Sequence, residues 1–267
     1  MTFDFPLQRY RTIWISDVHI GTRQCQAKML LDFLRWNNCD YLYLVGDIID
    51  GWNLRKNWYW RDVDNDVIQA ILRIAQSGTQ VFYIPGNHDE AARDYCGFEF
   101  GGIKVCGEAI HRMADGREFL VIHGDEFDGV VKYSKWLAHL GDRAYAIALR
   151  LNHWFNYFRR RLGYPYWSLS AYLKHVVKNA VSYISRFELA VADAARSRGV
   201  HGVVCGHIHK AEIREIDDVL YCNDGDWVES CTALVETLEG KLEIVHWTDI
   251  QTTVIHLDQA REPANAA

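Results

Sequence analysis

Short apolar runs rich in β-branched and aromatic residues alternate with helical stripes along the first half of the chain. Residues 12–16 (TIWIS) and 41–45 (YLYLV) read as buried strands. Between them Met29, Leu30, Phe33, Leu34 and Trp36 recur at helical spacing, so the order strand, helix, strand is expected. Val63, Val67, Ile68, Ile71, Leu72 and Ala75 form a second helical stripe, which Ser77 and Gly78 stop before a third strand over 81–84. A fourth strand is expected over 119–122. Residues 130–198 read as helical, punctuated by Gly141 and by Gly163, Tyr164 and Pro165. The stripe from Leu169 through Val176, Ile184 and Val191 to Ala194 predicts a helix about 40 Å long at 1.5 Å per residue. Strand patterns resume over 200–205, 219–222, 233–237 and 242–247, the last three expected as a closing antiparallel series, and the tail 257–267 is expected to fray.

This order predicts an α/β fold. The expected organisation is one core built from 1–128 and 199–256, interrupted by a helical insert over 129–198. A chain of 267 residues, 49% hydrophobic, supports one good core more readily than two.

Five apolar runs end in metal-liganding residue types: Asp17 and His19, Asp47, Asn87, His123, and the pair His207 and His209. Strand ends of an open sheet face one crevice, so these side chains are expected to converge. In Asp17-Val18-His19 and His207-Ile208-His209, residues two apart in extended chain face the same side. Asp47 offers two carboxylate oxygens able to bridge two cations, Asn87 a neutral carbonyl oxygen, and the histidines imidazole nitrogen. Mixed nitrogen and oxygen ligands favour manganese, iron or zinc over magnesium or calcium. Any one of these motifs alone is more often a turn, a cap or a surface pair, but five in order at the ends of apolar runs are hard to obtain by coincidence. His111, His139, His153, His175, His201, His246 and His256 lack partners at useful spacing and read as surface or core histidines.

The segments D-V-H at 17–19, G-D-x-x-D at 46–50, G-N-H-D at 86–89, H-G-D at 123–125 and G-H-I-H at 206–209 resemble the calcineurin-like metallophosphoesterases. The resemblance implies a four-layer α/β/β/α sandwich and two divalent ions per chain, manganese ahead of iron or zinc. It puts Asp17, His19, Asp47 and His209 around one ion and Asp47, Asn87, His123 and His207 around the other, with Asp47 as the bridge. It implies that His88 acts on the phosphate beside the ions and that Asp89 orients it. In that chemistry two cations activate a water for attack at phosphorus and stabilise the transition-state oxygens.

Charge refines the partner. The chain carries a net charge of −6, against a general role in nucleic-acid binding. Residues 129–187 nevertheless hold ten Lys and Arg against one acid, Asp142, a net +9 interleaved with aromatic residues. This mixture suits an anionic, partly apolar ligand, with Arg159, Arg160, Lys174 and Lys178 as substrate-binding candidates. Solvated charges around a packed hairpin remain the plainer alternative. An insert between the H-G-D and G-H-x-H segments also resembles the UDP-2,3-diacylglucosamine pyrophosphohydrolases of lipid A synthesis, in which it forms a lid or cap over acyl chains. His88 stands where that group carries Arg in G-N-R-D. Three readings stay open: a hydrolase of a lipid-linked or nucleotide-sugar substrate, a phosphodiesterase or phosphatase of a soluble nucleotide, and a non-catalytic metal-binding module. Peripheral contact with an anionic membrane and oligomerisation through the insert are compatible with the first two. Seven cysteines without a C-x-x-C pair suggest reduced thiols, and the lack of an apolar leader or a long apolar span makes a cytoplasmic location the expectation.

Overall fold

Three parallel strands, β1 (Gln8–Ile15), β2 (Asn37–Val45) and β3 (Gln80–Ile84), form the middle of a seven-stranded sheet. Parallel pairing needs crossovers. Here α1 (Ala27–Trp36), then α2 (Gly51–Lys56) and α3 (Asp62–Gln76), supply them. The sheet continues through β4 (Glu99–Phe100) and β5 (Ile103–Val105) on one side and β11 (Thr232–Glu236) and β12 (Leu242–His246) on the other, in the order β12-β11-β1-β2-β3-β5-β4. A second sheet has the order β6-β7-β8-β10-β9, from β6 (Ala109–Arg112), β7 (Glu118–Val121), β8 (Gly202–Cys205), β9 (Glu212–Ile216) and β10 (Val219–Asn223). The structure is a computed structural model that describes residues 7–130, 161–162 and 169–248, with side chains of the last helix from residue 181 on.

Alternation along the strands builds two cores. Ile13, Ile15, Leu42, Leu44, Val81, Ala233 and Val235 point to one face of the large sheet, where Leu30, Phe33, Leu34, Val67 and Ile71 of α1 and α3 cover them. The intervening Trp14, Tyr43, Val45, Ile84 and Leu234 pack against Phe119, Val121, Val204 and Cys222 of the second sheet. Each such fully buried side chain is worth about 2 kcal/mol relative to exposure. The fold is therefore two sheets face to face, flanked by helices, as expected.

Three differences from the sequence reading have local causes. The short strands β4, β5, β6 and β9 went unpredicted because they are two to five residues long and bury at most one residue each. α2 carries no apolar stripe and buries no residue. The closing strands are not one antiparallel series: β10 pairs in parallel with β8 in the second sheet, while β11 and β12 join the first. The chain groups into two compact units, 1–125 with 191–267, and 126–190. In the second, Tyr183 donates to Asp128 Oδ1 at 2.6 Å and the Phe127 and Phe187 rings meet edge to face. α4 (Leu169–Ser197) has 29 residues, about 44 Å at the helical rise. No helix among the described residues is long and apolar enough to cross a membrane. Much of the expected insert and the tail 257–267 lie outside the described residues.

Candidate metal centre

β1, β2, β3 and β8 each run out into a loop whose first residues carry the ligand-type side chains, and His123 follows β7 by two residues. Backbone hydrogen bonds zip two of these loops together: Asp17 N donates to Gly46 O at 3.1 Å, His19 N to Asp47 O at 2.9 Å and Ile20 N to Ile48 O at 2.9 Å. Asp17, His19, Asp47, His207 and His209 adopt left-handed φ of 50°, 53°, 53°, 71° and 53°. For a residue with a side chain that conformation costs roughly 1–2 kcal/mol. Its concentration at these positions is strain held where the side chains must turn inward.

The side chains meet. Asp17 Oδ1 lies 2.9 Å from His209 Nε2 and 3.8 Å from His19 Nε2. Asp47 Oδ2 lies 3.5 Å from His123 Nε2, 3.9 Å from His19 Nε2 and 4.0 Å from His88 Nε2. The His123 and His207 rings are 5.1 Å apart between centroids. Ligand-type atoms thus gather in three overlapping groups: Asp17, His19 and His209; Asp47, His123 and His207; and His19, Asp47 and His88.

Orientation follows from hydrogen bonds on the far sides of the rings. His123 Nδ1 donates to Val45 O at 2.8 Å and His19 Nδ1 to Asp50 Oδ2 at 3.3 Å, which leaves each Nε2 as the ring nitrogen facing the cluster. Asp47 Oδ1 accepts from His88 N at 2.8 Å, so Oδ2 is the oxygen turned inward. Asp17 Oδ2 accepts from His207 N at 2.7 Å. His19 Nε2, Asp47 Oδ2, Asn87 Oδ1 and His123 Nε2 are buried without a hydrogen-bond partner. Four polar atoms buried together in that way cost several kcal/mol, about 1–3 each, unless a cation takes them. Imidazole nitrogen, carboxylate and amide oxygen suit a transition-type divalent ion. The residues therefore fit the implied metal.

The electrostatics agree. Burial alone would raise the Asp17 carboxyl, but the His209 and His19 imidazoles beside it hold it well below the usual carboxylate range. Asp47 is also lowered: burial is outweighed by the His123 imidazole. Burial opposes charge on His19 and His123, yet the surrounding carboxylates push them up to about 10 and about 9. This is the field of a cation site, anions crowded where positive charge is to sit.

The profile of the calcineurin-like phosphoesterases matches residues 10–211, which contain all of these groups. The chain belongs to the calcineurin-like phosphoesterase family. Among curated relatives, a UDP-2,3-diacylglucosamine hydrolase of Chromohalobacter salexigens is 27% identical over 212 residues, covering 76% of this chain and 82% of the relative. One of the same name from Xanthomonas campestris is 35% identical over 118 residues, 43% of this chain and 46% of the relative. A DNA polymerase II small subunit of Pyrococcus abyssi is 29% identical over 167 residues, 50% of this chain and 27% of that one. The family and its hydrolase-named relatives make this calcineurin-like protein a metal-dependent phosphoesterase.

Within this phosphoesterase the structure brings Asp17, His19, Asp47, Asn87, His123, His207 and His209 together where strands of both sheets run out, with His88 beside them. The described hydrogen bonds of Asp89 go to loop backbone and to Tyr83. Its carboxylate accepts from Ile48 N at 2.8 Å, Gly86 N at 2.6 Å and Tyr83 Oη at 2.6 Å, tying two ligand loops together, and burial raises its pKa. The group beside His88 is Asp50, with Oδ2 3.0 Å from His88 Nδ1. Those histidines hold the Asp50 carboxyl far below its ordinary value despite burial. Asp224 was also missed: it is fully buried, 2.5 Å from Ser16 Oγ, which lies 2.7 Å from Asp17 Oδ2. Its only sequence signal was a polar N-D-G-D stretch that reads as a turn. Arg159 and Arg160 lie outside the described residues, as do the side chains of Lys174 and Lys178 on α4.

Proposed function

We propose that the chain hydrolyses a phosphoester or pyrophosphate bond of a lipid-linked or nucleotide-sugar substrate resembling UDP-2,3-diacylglucosamine, using two divalent ions, manganese foremost. The observation that carries the reading is the convergence of buried, unpartnered donor atoms around Asp47 Oδ2, with imidazoles of three loops aimed at it. When bound, a pair of divalent ions supplies positive charge to the phosphoryl oxygens and an acidified water to attack phosphorus. The chain's own residues do the rest. Asp47 would be shared by the two ions, while Asp17, His19 and His209 would hold one and Asn87, His123 and His207 the other. His88, with Nδ1 3.0 Å from Asp50 Oδ2, turns its Nε2 towards the phosphoryl and leaving-group oxygens, where general-acid work is of order 10² to 10⁴ in rate. Asp89 keeps the loops of Asp47 and Asn87 in register.

The substrate class is supported by the relatives named UDP-2,3-diacylglucosamine hydrolase and by the basic, aromatic composition of 129–187. In this reading Arg159, Arg160, Lys174 and Lys178 bind the anionic groups, and the insert touches an anionic lipid surface. One feature favours a second reading, a phosphodiesterase of a soluble nucleotide: His88 in place of Arg. The deciding experiment offers the manganese-loaded chain both UDP-2,3-diacylglucosamine and an aryl phosphodiester, with metal counted by elemental analysis. Cleavage of the first into two phosphomonoesters with two ions per chain is expected. Turnover of the diester alone gives the second reading, and less than one ion per chain under saturating supply sinks both.

A further inference from the structure

Two backbone segments, 50–52 and 88–90, lie side by side beside the candidate metal centre. Asp50 Oδ2 lies 3.0 Å from His88 Nδ1, Gly51 N donates to His88 O at 3.0 Å, and the Trp52 indole Nε1 donates to Glu90 Oε1 at 3.4 Å. The approach is close enough to require glycine in the middle, since a Cβ on Gly51 would fall 2.9 Å from His88 O. The clamp delivers the Trp52 ring onto His88, with centroids 4.3 Å apart and planes tilted by 37°. On another side the His19 ring meets His88 edge-on at 4.6 Å.

We propose that Trp52 is a positioning residue for His88, its indole forming the wall that holds the imidazole with Nδ1 on Asp50 and Nε2 towards Asp47 Oδ2. The inference rests on the reading in which His88 acts on phosphate. A histidine ring has a broad, two-fold torsion about its last bond, so one carboxylate at Nδ1 leaves it free to swing about that contact. Asp50 is moreover shared with His19, which accounts for only part of the restraint. A flat ring face closes the remaining direction. Core packing does not explain Trp52: Trp14 and Trp227 are fully buried, whereas Trp52 is 40% exposed and has its ring on His88. Aromatic contacts of this kind are geometry-dependent, which is what a positioning role needs.

The test uses the manganese-loaded chain and a phenyl phosphodiester, whose leaving group is a poorer one than nitrophenol and so depends more on a proton donor. Trp52→Ala is expected to lower kcat about tenfold to a hundredfold, with KM within twofold and metal content unchanged. Trp52→Phe is expected to restore most of the rate. In a His88→Ala background Trp52→Ala should add no further loss, because its effect runs through the imidazole. In the chain loaded with diamagnetic zinc instead, the His88 ring signals in nitrogen–proton correlation spectra should carry a ring-current displacement that Trp52→Phe changes and Trp52→Ala removes. An unchanged kcat in Trp52→Ala, a rise in KM alone, or an equal loss with and without His88 overturns the proposal. If Trp52→Ala does not fold, Trp52→Phe and the spectra decide it: ring signals unmoved by Trp52→Phe overturn it. Full activity of His88→Ala instead removes the underlying reading of His88, while the spectra still report the contact.

Discussion

A carboxylate oxygen that faces two histidine Nδ1 atoms, as Asp50 Oδ2 faces His19 at 3.3 Å and His88 at 3.0 Å, sets the direction of two Nε2 atoms at once. It also accepts from Asn53 N at 2.7 Å through its other oxygen, so its own position is fixed by the start of α2. Asp50→Asn keeps the size and removes the charge. We expect it to weaken metal affinity about tenfold, the usual scale for a partner behind a liganding histidine, and to lower kcat further through His88; a metal titration beside a rate measurement checks both. Protonation gives a second expectation. His19 at about 10 and His123 at about 9 hold protons at neutral pH, and ligation needs them neutral, so metal uptake releases protons and affinity rises with pH up to that range. Calorimetry of manganese binding in buffers of different ionisation enthalpy reads the proton count, and a heat that does not depend on the buffer would refute it. At this scale the sequence announces the converging side chains well, since Asp, His and Asn after apolar runs are informative by type. It announces Asp50 and Asp89 poorly, because their work is done on a neighbouring ring and on backbone amides, which no residue type reveals.

The loops between strands and ligands depend on glycines at close approaches. Gly46 sits at φ +78°, and a Cβ there would lie 2.3 Å from His123 Nδ1, in the path of its bond to Val45 O. Gly86 is closed off in another way, with a Cβ position 2.3 Å from Asp47 Oδ1. Gly46→Ala is therefore expected to displace His123, lower stability by more than about 1 kcal/mol, and reduce bound metal to below two ions per chain. Thermal unfolding and elemental analysis of the variant check this, and a fully loaded protein of unchanged Tm would show the loop to be more compliant. Elements were legible where a face is buried over several residues, as in β2, with Leu42, Tyr43, Leu44 and Val45 all buried, or in α3, with Val67 and Ile71 on its inner face. They were illegible where pairing does the work without burial. β4 exposes both residues, and the first half of β1 is polar, with Gln8 and Arg9 paired to Asn37 and Asn38 and the Arg9 guanidinium on Asp40 at 3.0 Å.

Two sheets pressed together need a reason to meet in one register, and part of it is polar. Glu236 on β11 is fully buried between them, accepting from Arg11 at 2.7 Å and Thr12 at 2.8 Å on its own sheet and from Ala114 N at 2.7 Å on the other. His111 of β6 lies 3.2 Å from the same carboxylate and 3.1 Å from Tyr43 Oη. The pattern of apolar runs could foretell that two layers exist, yet not that β10 belongs with β8 and β11 with β1. That partition is written in such cross-sheet contacts between residues 68 to 125 positions apart. Glu236 is held down from its ordinary 4.5 to about 2: burial opposes this, and His111, the Ala114 amide, Thr12 and Arg11 outweigh it. Because the folded pKa lies below the unfolded one, the charge contributes stability that is fully present above pH 4.5 and is lost as pH falls towards 2. Glu236→Gln should then cost about 3 kcal/mol at neutral pH, the scale for breaking a buried ion pair. The gap between variant and wild type should narrow steadily through that acid window. Urea unfolding of both proteins, stripped of metal by a chelator so that ligand titration is common to the pair, measures the gap at each pH. A gap that stays constant down to the acid end would mean that the carboxylate's charge contributes nothing to joining the sheets, and that shape alone sets their register.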